Sequence, residues 1–175
     1  MYLDVRNIRA EGFVVQRTLE MGPLEEPGGE RVEVEPVELE GRVQRLRLGF
    51  EFRGQLRTTA KLACSRCVEP LRLGLALSFD LIYREELADP ARASQSGAMD
   101  DPAISYLDGG RIHLGRLVEE QVMLALPLKP LCESDCRGLC PQCGARQDGE
   151  PCGCEPLLDP RLEVLRELKQ RLQDG

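Results

Sequence analysis

The fold is decided by one stretch of alternating sequence, residues 45–62, which reads RLRLGFEFRGQLRTTAKL. Its even positions, from Leu46 to Leu62, are mostly apolar, and its odd positions are mostly charged or polar. Alternation with a period of two predicts extended chain with one buried side and one side in water. Gly54 interrupts the apolar row, which predicts a bulge, a bend or a tight turn at that point.

A second alternating run follows at residues 71–80, where leucines and Phe79 alternate with small or polar residues. Between the two runs lies the segment Cys64-Ser65-Arg66-Cys67, at the position where a hairpin would turn. Upstream, spaced apolar residues predict one or two more strands, with Pro36 favouring an edge position. These residues are Val32, Val34, Val37 and Leu39.

Two helices are predicted after the strands. Residues 114–126 place apolar side chains near helical spacing, and Pro127 ends the pattern. Residues 160–173 carry a stripe of leucines, with Asp159 as a cap and Pro160 in the first turn. We expect both apolar stripes to pack against the sheet.

Composition limits the class of protein. The chain has 175 residues, of which 42% are hydrophobic and 30% charged, so it can bury the core of one domain. Its longest uninterrupted apolar run, residues 122–128, is far shorter than the roughly 20 residues of a membrane helix. The N-terminus lacks a basic start followed by an apolar stretch. We therefore expect a cytoplasmic protein with no membrane contact.

All eight cysteines fall in short-spaced groups, which are Cys64/Cys67, Cys132/Cys136, Cys140/Cys143 and Cys152/Cys154. Disulfides are disfavoured because nothing routes the chain to an oxidising compartment. Cys136, Cys140 and Cys143 have the spacing of an iron–sulfur site in radical enzymes. Such enzymes need a large α/β barrel, and too few residues follow Cys143 to build one.

Zinc fits the spacing best. In Cys140-Pro141-Gln142-Cys143-Gly144, two cysteines three positions apart can clasp one ion, and Gly144 permits a positive φ in the turn. One predicted site therefore consists of Cys140, Cys143, Cys152 and Cys154. The remaining four cysteines would form a second site, from Cys64, Cys67, Cys132 and Cys136. The alternative is one zinc held by a mixture of the six C-terminal cysteines, with Cys64 and Cys67 free or bonded to each other.

The sequence thus predicts an α+β fold. An antiparallel β-sheet or partial barrel would form the core, with two packed helices and a C-terminal zinc-stabilised loop module. We expect a β-rich core domain at 1–130, a cysteine-rich zinc module at 131–155 and a C-terminal helix at 156–175. Segments 20–30 and 85–103 are rich in glycine, proline or acidic residues and predict mobile loops.

Catalytic chemistry has little support in the sequence. The single histidine, His113, offers no Cys–His–Asp arrangement, and we expect it to have a structural or surface role. Neither a dinucleotide-binding nor a P-loop glycine motif occurs. We therefore predict that the protein is not an enzyme and has no small-molecule substrate.

The cysteine-rich tail resembles the YceD-like family, the bacterial and plastid large ribosomal RNA subunit accumulation proteins. The resemblance rests on Leu124-Ala125-Leu126-Pro127, on Cys132, on the run from Asp135 to Gly144, on Cys152-Gly153-Cys154 and on the hairpin Cys64-Ser65-Arg66-Cys67. It implies a role in accumulation of the large-subunit (23S) ribosomal RNA and in ribosome assembly, without known catalysis. One departure is Arg146-Gln147, where relatives often carry Leu-Asn.

The charge distribution leaves room for an RNA contact. The chain has a formal net charge of -7, yet residues 41–73 carry seven arginines and one lysine against two glutamates. We predict that RNA phosphates bind along the solvent-facing side of the long strand and at its turn, through Arg45, Arg47, Arg53, Arg57, Lys61 and Arg66. The alternative is a solvated sheet face.

Two functional hypotheses follow. In the first, the protein is a non-enzymatic, zinc-stabilised factor that contacts ribosomal RNA or a pre-ribosomal particle. In the second, it is a zinc-binding adaptor for a ribosomal protein or an assembly factor, since the acidic remainder of the surface would suit a basic partner.

Overall fold

The computed structural model describes residues 1–8, 11–25, 29, 31–85, 104–147, 152–154 and 161. Within these ranges the chain forms nine strands and one helix. The strands are β1 (Tyr2–Asp4), β2 (Phe13–Leu19), β3 (Leu24–Glu25), β4 (Arg31–Val34), β5 (Val37–Leu46), β6 (Gly49–Ala63), β7 (Pro70–Glu85), β8 (Ile104–Leu107) and β9 (Arg111–His113). The helix is α1 (Leu114–Ala125).

A long hairpin of β6 and β7 is the centre of the fold. The two strands pair antiparallel from Phe50 opposite Tyr83 to Ala63 opposite Pro70, and the Cys64-to-Cys67 segment lies at the turn. On β6 the side chains of Phe52, Leu56 and Ala60 are buried. The predicted hairpin and the inward even positions of this strand are therefore confirmed.

Shorter strands extend the sheet on both sides. β5 pairs antiparallel with the first part of β6, and β4 pairs with β6 farther along, at Ala60 and Lys61. β2 lies outside β5, β3 lies outside β4, and β8 pairs parallel with β7. β1 and β9 form a separate two-stranded sheet. Pro36 lies in the break between β4 and β5 rather than within an edge strand.

The stretch that predicts the fold is not one strand. A two-residue turn at Arg47 and Leu48 separates β5 from β6, and Leu46 pairs with Gly49 across it. Gly49 has a φ of 132°, which a residue with a side chain rarely adopts. The turn changes which positions face inward: odd positions such as Val43 are buried on β5, and even positions are buried on β6.

The first predicted helix is confirmed and buries the predicted face, with Leu114, Leu117, Val118 and Val122 in the core. His113 caps it, because its Nδ1 accepts a hydrogen bond from the Arg116 backbone N–H at 2.9 Å. This contact gives the lone histidine a structural role. The second predicted helix, from residue 160, lies outside the described residues apart from Arg161.

The predicted mobile loops differ in outcome. Within 20–30, β3 forms a paired strand and Leu24 is buried, so this part of the segment belongs to the sheet. In the second segment, only Glu85 falls within the described residues, as the last residue of β7. The described part of the chain contains no helix that is both long and apolar enough to cross a membrane.

Candidate metal centres

The eight cysteines gather into two groups of four. We call Cys64, Cys67, Cys132 and Cys136 the hairpin cluster, and Cys140, Cys143, Cys152 and Cys154 the tail cluster. Within each cluster all four sulfur atoms lie within 4.8 Å of one another. The structure therefore brings the cysteines together in the predicted two-site partition, rather than in one mixed site.

The sulfur separations in the hairpin cluster match a tetrahedral metal site. The Sγ atoms of Cys64 and Cys136 are 3.8 Å apart, and those of Cys67 and Cys132 are 3.6 Å apart. Four ligands at the usual Zn–S distance of about 2.3 Å place neighbouring sulfurs about 3.8 Å apart. A disulfide would require about 2.05 Å, and none of the eight cysteines forms one.

The hairpin cluster is built into the protein interior. Cys64, Cys67 and Cys136 are buried, and Leu71 and Leu131 pack against them. Two hydrogen bonds tie the hairpin tip to the segment after α1. The Ser65 N–H donates to the Pro130 carbonyl at 2.8 Å, and the Arg66 guanidinium donates to the Cys136 carbonyl at 2.6 Å.

The two Cys-x-x-Cys turns share one backbone design. In the first, the Cys64 N–H donates to the Glu69 carbonyl, and the Val68 N–H donates to the Cys64 carbonyl, both at 2.9 Å. In the second, the Cys140 N–H donates to the Ala145 carbonyl at 2.7 Å, and the Gly144 N–H donates to the Cys140 carbonyl at 2.9 Å. In both turns, the first cysteine therefore donates its N–H to the carbonyl five residues later. Its own carbonyl accepts from the N–H four residues later.

The residue after the second cysteine of each turn has a positive φ. It is 71° at Gly144, as the glycine predicts, and 63° at Val68. A β-branched residue rarely adopts this conformation, so the sequence gives no sign that Val68 does so. The similarity between the two turns becomes visible only in the backbone geometry.

In each cluster, the pKa of one cysteine thiol is lowered and the pKa of another is raised. Although burial opposes ionisation of Cys64, the backbone N–H groups of Cys67, Cys132 and Arg66 lower the pKa of this thiol to about 6. The backbone N–H groups of Cys143 and Gln142 lower the pKa of Cys140 to about 6 as well.

The last cysteine of each cluster behaves in the opposite way. Burial and the neighbouring Cys132 raise the pKa of Cys136 to about 12. Hydrogen bonds with Cys143 and Cys152 raise the pKa of Cys154 to about 12. Four thiolates this close repel one another, so full ionisation of either cluster requires a bound cation.

Polar contacts join the tail cluster to the hairpin. Leu139 and Arg146 form an isolated β-bridge, and Gln147 N–H donates to the Gly138 carbonyl at 2.9 Å. The Arg146 guanidinium lies 2.9 Å from the Glu69 carboxylate, next to the first turn. The cysteine-rich segment predicted as a module at 131–155 is thus attached to the β6–β7 hairpin and shares a cluster with it.

The predicted RNA-contacting residues do not share one face. Arg53 forms ion pairs with Glu51 and Asp80, both at 2.9 Å, and Lys61 forms one with Glu33 at 3.0 Å. Arg66 binds the carbonyl of Cys136. Three of the six basic side chains are therefore engaged within the protein.

The turn at residues 47–48 explains why Arg45 and Arg57 lie on opposite sides of the sheet. Arg45 is opposite Phe50 on the core-facing side of the sheet, with its guanidinium carbon 5.7 Å from the Phe50 ring centroid. Arg57 lies on the outer side, opposite Glu38 on β5. Acidic residues on neighbouring strands therefore offset the positive charge of residues 41–73, and the six predicted residues are not gathered on one face of the sheet.

Comparison with known proteins identifies the family. The model of the family described as large ribosomal RNA subunit accumulation protein YceD matches residues 52–169. The chain belongs to the YceD family. This confirms the resemblance seen in the cysteine motifs. The matched range begins inside β6 and includes all eight cysteines, but it leaves out Arg45 and Arg47.

Individual relatives agree with the YceD assignment. An uncharacterized protein of Mycobacterium tuberculosis is 30% identical over 132 residues, which cover 75% of this chain and 61% of the relative. The large ribosomal RNA subunit accumulation protein YCED homolog 1, chloroplastic, of Zea mays is 29% identical over 156 residues, covering 75% of this chain and 53% of the relative. Its Arabidopsis thaliana namesake is 25% identical over 160 residues, covering 79% and 50%.

This YceD-family chain thus spans about half to three fifths of the length of these relatives. No solved structure matches it.

Proposed function

We propose that the protein is a non-enzymatic factor that supports accumulation of large-subunit (23S) ribosomal RNA and assembly of the large ribosomal subunit. Membership of the YceD family carries this proposal. The names of the plant relatives, which are large ribosomal RNA subunit accumulation proteins, support it. A cytoplasmic location is part of the proposal, and eight cysteines without a disulfide suit a reducing compartment.

Depletion of the protein in its own cells tests this function. The ratio of 23S to 16S ribosomal RNA should fall, and re-expression of the wild-type chain should restore it. An unchanged ratio after complete depletion would contradict the proposal. The matched control is re-expression of the Gly74→Ala variant, because no heavy atom lies within 4 Å of a Cβ added at that position.

Each cysteine cluster would hold one zinc ion in a structural role. Four thiolate ligands complete a tetrahedron and leave no open position for water or substrate, which is typical of structural sites. The sulfur separations of 3.6–3.8 Å and the burial of the hairpin cluster support this assignment.

Metal analysis of protein purified under reducing conditions tests the zinc assignment. We expect two zinc ions per chain and a colourless protein, and one ion per chain in Cys64→Ser and in Cys143→Ser. Ser65→Ala, in the same turn as Cys64, should retain both ions. Visible charge-transfer absorption with iron in place of zinc would contradict it.

A direct RNA contact is the finer part of the proposal. Among the predicted residues, Arg57 and Arg47 are exposed, and they are better placed than the ion-paired Arg53 and Lys61 to meet phosphates. Two phosphate contacts, from Arg47 and Arg57, would give a log–log salt slope of about -1.4 to -1.8.

Substitution of Arg47 and Arg57 by glutamine tests this contact. We expect RNA affinity to fall and the salt slope to become shallower by about 1.4 to 1.8, whereas Arg53→Gln should change both much less. Unchanged affinity and slope in the double variant would remove this surface from the proposal.

A protein-adaptor function is the second candidate. Leu124 and Leu128 are strongly exposed on either side of Pro127, next to the segment that enters the hairpin cluster. Contiguous exposed apolar surface marks sites of protein–protein contact. Co-purification with and without ribonuclease separates the two functions, because partners that survive digestion are held by protein contacts.

A further inference from the structure

All three tyrosines of the chain and its single histidine line one cleft. The cleft has a volume of about 550 Å³, which lies within the range of about 300–1,000 Å³ of pockets for small ligands. It is formed where β1 and β9 meet β7, β8 and the start of α1. The chain has three tyrosines and four phenylalanines, and the convergence of all three tyrosines singles out this surface.

We propose that this cleft binds a nucleotide of single-stranded RNA, with the base against Tyr2 or Tyr106 and the phosphate near Arg111. The inference rests on the proposed function, since it names a second place at which the protein would contact RNA, apart from Arg47 and Arg57. Stacking on aromatic rings suits every base, because each base has a flat π-face.

The exposure of the rings supports a stacking role. Tyr2 is 50% exposed and Tyr106 is 44% exposed, so both present ring surface to the cleft and to solvent. Tyr83 is buried at the end of β7, and burial raises the pKa of this residue. Its hydroxyl therefore stays protonated at neutral pH and can donate a hydrogen bond.

Tyr2 is held in place by contacts on two sides. Its ring centroid is 4.6 Å from that of His113, with the two planes nearly perpendicular, and the Arg111 guanidinium carbon is 5.3 Å from the Tyr2 ring centroid. His113 is in turn fixed by the Arg116 N–H, which donates to its Nδ1. The Nε2 atom of the neutral ring then carries the proton and is a donor.

Charge in the cleft is nearly balanced, which points to stacking rather than to electrostatic attraction. Arg116 pairs with Glu120 at 2.8 Å, and Asp108 also lines the cleft. With one phosphate held by Arg111, the log–log salt slope for a single strand would be about -0.7. This is shallower than the slope expected for the proposed phosphate contact of Arg47 and Arg57.

Fluorescence offers a direct readout because the chain has no tryptophan and all its tyrosines line the cleft. Octauridylate is titrated into the full-length, zinc-loaded protein. We expect quenching of tyrosine emission, and anisotropy of fluorescein-labelled octauridylate gives the affinity. Uridine 5′-monophosphate is titrated in parallel and should bind more weakly, whereas equal affinity would overturn the assignment to an RNA strand.

Two double variants test the rings. Replacement of both Tyr2 and Tyr106 by alanine should weaken octauridylate binding at least fivefold, since loss of one base stack costs about 5- to 150-fold. Replacement of both by phenylalanine retains the stacking surface and should stay within about threefold of wild type. The matched control is Phe13→Ala, which removes a ring that is 43% exposed outside the cleft and should change nothing.

Unchanged affinity of the alanine variant would overturn the inference, and so would failure of the wild-type protein to bind octauridylate. Circular dichroism of each variant confirms that it is folded. The proposed function is measured separately, by the 23S to 16S ratio in depleted cells. A ratio that falls on depletion together with unchanged affinity of the alanine variant would leave the function standing without this cleft.

Discussion

The Arg66 guanidinium donates to the backbone carbonyl of Cys136 at 2.6 Å, across 70 positions of sequence. Arg66 lies at the tip of the β6–β7 hairpin, and Cys136 is the last of the four cysteines of the hairpin cluster along the chain. Gly138 permits this approach, because a Cβ there would lie 2.9 Å from the Arg66 carbonyl oxygen. Arg66 therefore positions a cysteine of the cluster.

Loss of the Arg66 side chain should weaken metal binding. We expect Arg66→Ala to lower zinc affinity by about 10- to 100-fold, which is the usual effect of removing a group that orients metal ligands. Competition with a chromogenic chelator measures it. Arg57→Ala, on the outer face of β6, is the control and should leave zinc affinity unchanged. Equal affinities in the two variants would contradict the positioning role.

The two clusters should differ in their effect on global stability. Cys64 is buried and joins the hairpin to the segment after α1, whereas Cys143 is exposed in the tail. We expect Cys64→Ser to destabilise the protein by about 3 kcal/mol, or roughly 6–12 °C in the unfolding midpoint. Cys143→Ser should shift the midpoint much less.

Calorimetry of both serine variants measures the difference, and Ser65→Ala is the matched control for the first turn. Equal midpoints for Cys64→Ser and Cys143→Ser would show that the tail cluster supports the core as much as the hairpin cluster does. Treatment of the wild-type protein with a chelator should lower its midpoint at least as far as Cys64→Ser does.

A close approach of two strands depends on Gly41 and Gly54, which pair across β5 and β6. A Cβ on Gly41 would lie 2.6 Å from the Arg53 carbonyl oxygen, and one on Gly54 would lie 2.7 Å from the Phe79 ring. We expect alanine at either position to lower the free energy of unfolding by about 1–3 kcal/mol. Chemical denaturation measures it.

Gly74 provides the control for this prediction, because it also lies within a strand, β7, yet a Cβ there meets no heavy atom within 4 Å. Gly74→Ala should leave stability unchanged or raise it slightly. If the three alanine variants were equally stable, the close packing at Gly41 and Gly54 would have no energetic effect.

Much of the fold follows from the sequence because its signals are local. The alternation around Phe52 and Leu56 predicts a half-buried strand, and the leucine spacing ended by Pro127 predicts α1. The turn at Arg47 and Leu48 is hidden, since the apolar alternation continues through it without a break. Only strand pairing shows that the chain reverses there.

The cysteine partition is predictable because the spacing leaves few ways to form two groups of four. The arrangement of the basic residues is not predictable from the sequence, for a different reason. The charge count over residues 41–73 leaves out Glu33 and Asp80, which the sheet places beside Lys61 and Arg53. Cross-strand neighbours are set by register, which the sequence does not reveal.

Val68→Gly and Gly144→Val should have opposite effects on their turns. Val68→Gly removes the strain of a β-branched residue at a φ of 63°, so we expect stability to stay the same or rise by up to about 1 kcal/mol. Gly144→Val introduces that strain and should weaken zinc retention in the tail cluster.

Chelator competition and thermal unfolding together measure the exchange. Val14→Gly is the matched control for Val68→Gly, since Val14 is similarly exposed but lies within the strand β2. It should destabilise the protein, because glycine is unfavourable within a strand. A destabilising Val68→Gly and a neutral Gly144→Val would contradict the shared design of the two turns.

The hairpin cluster also affects the time course of biosynthesis. Cys67 precedes its neighbour Cys132 by 65 residues, and Cys64 precedes Cys136 by 72. A ribosome adds about 5–20 residues per second, so the first two thiols wait several seconds for the other pair. The β6–β7 hairpin therefore emerges from the ribosome with two of the four cysteines of its cluster. The cluster can be completed only after α1 and the segment beyond it have been synthesised.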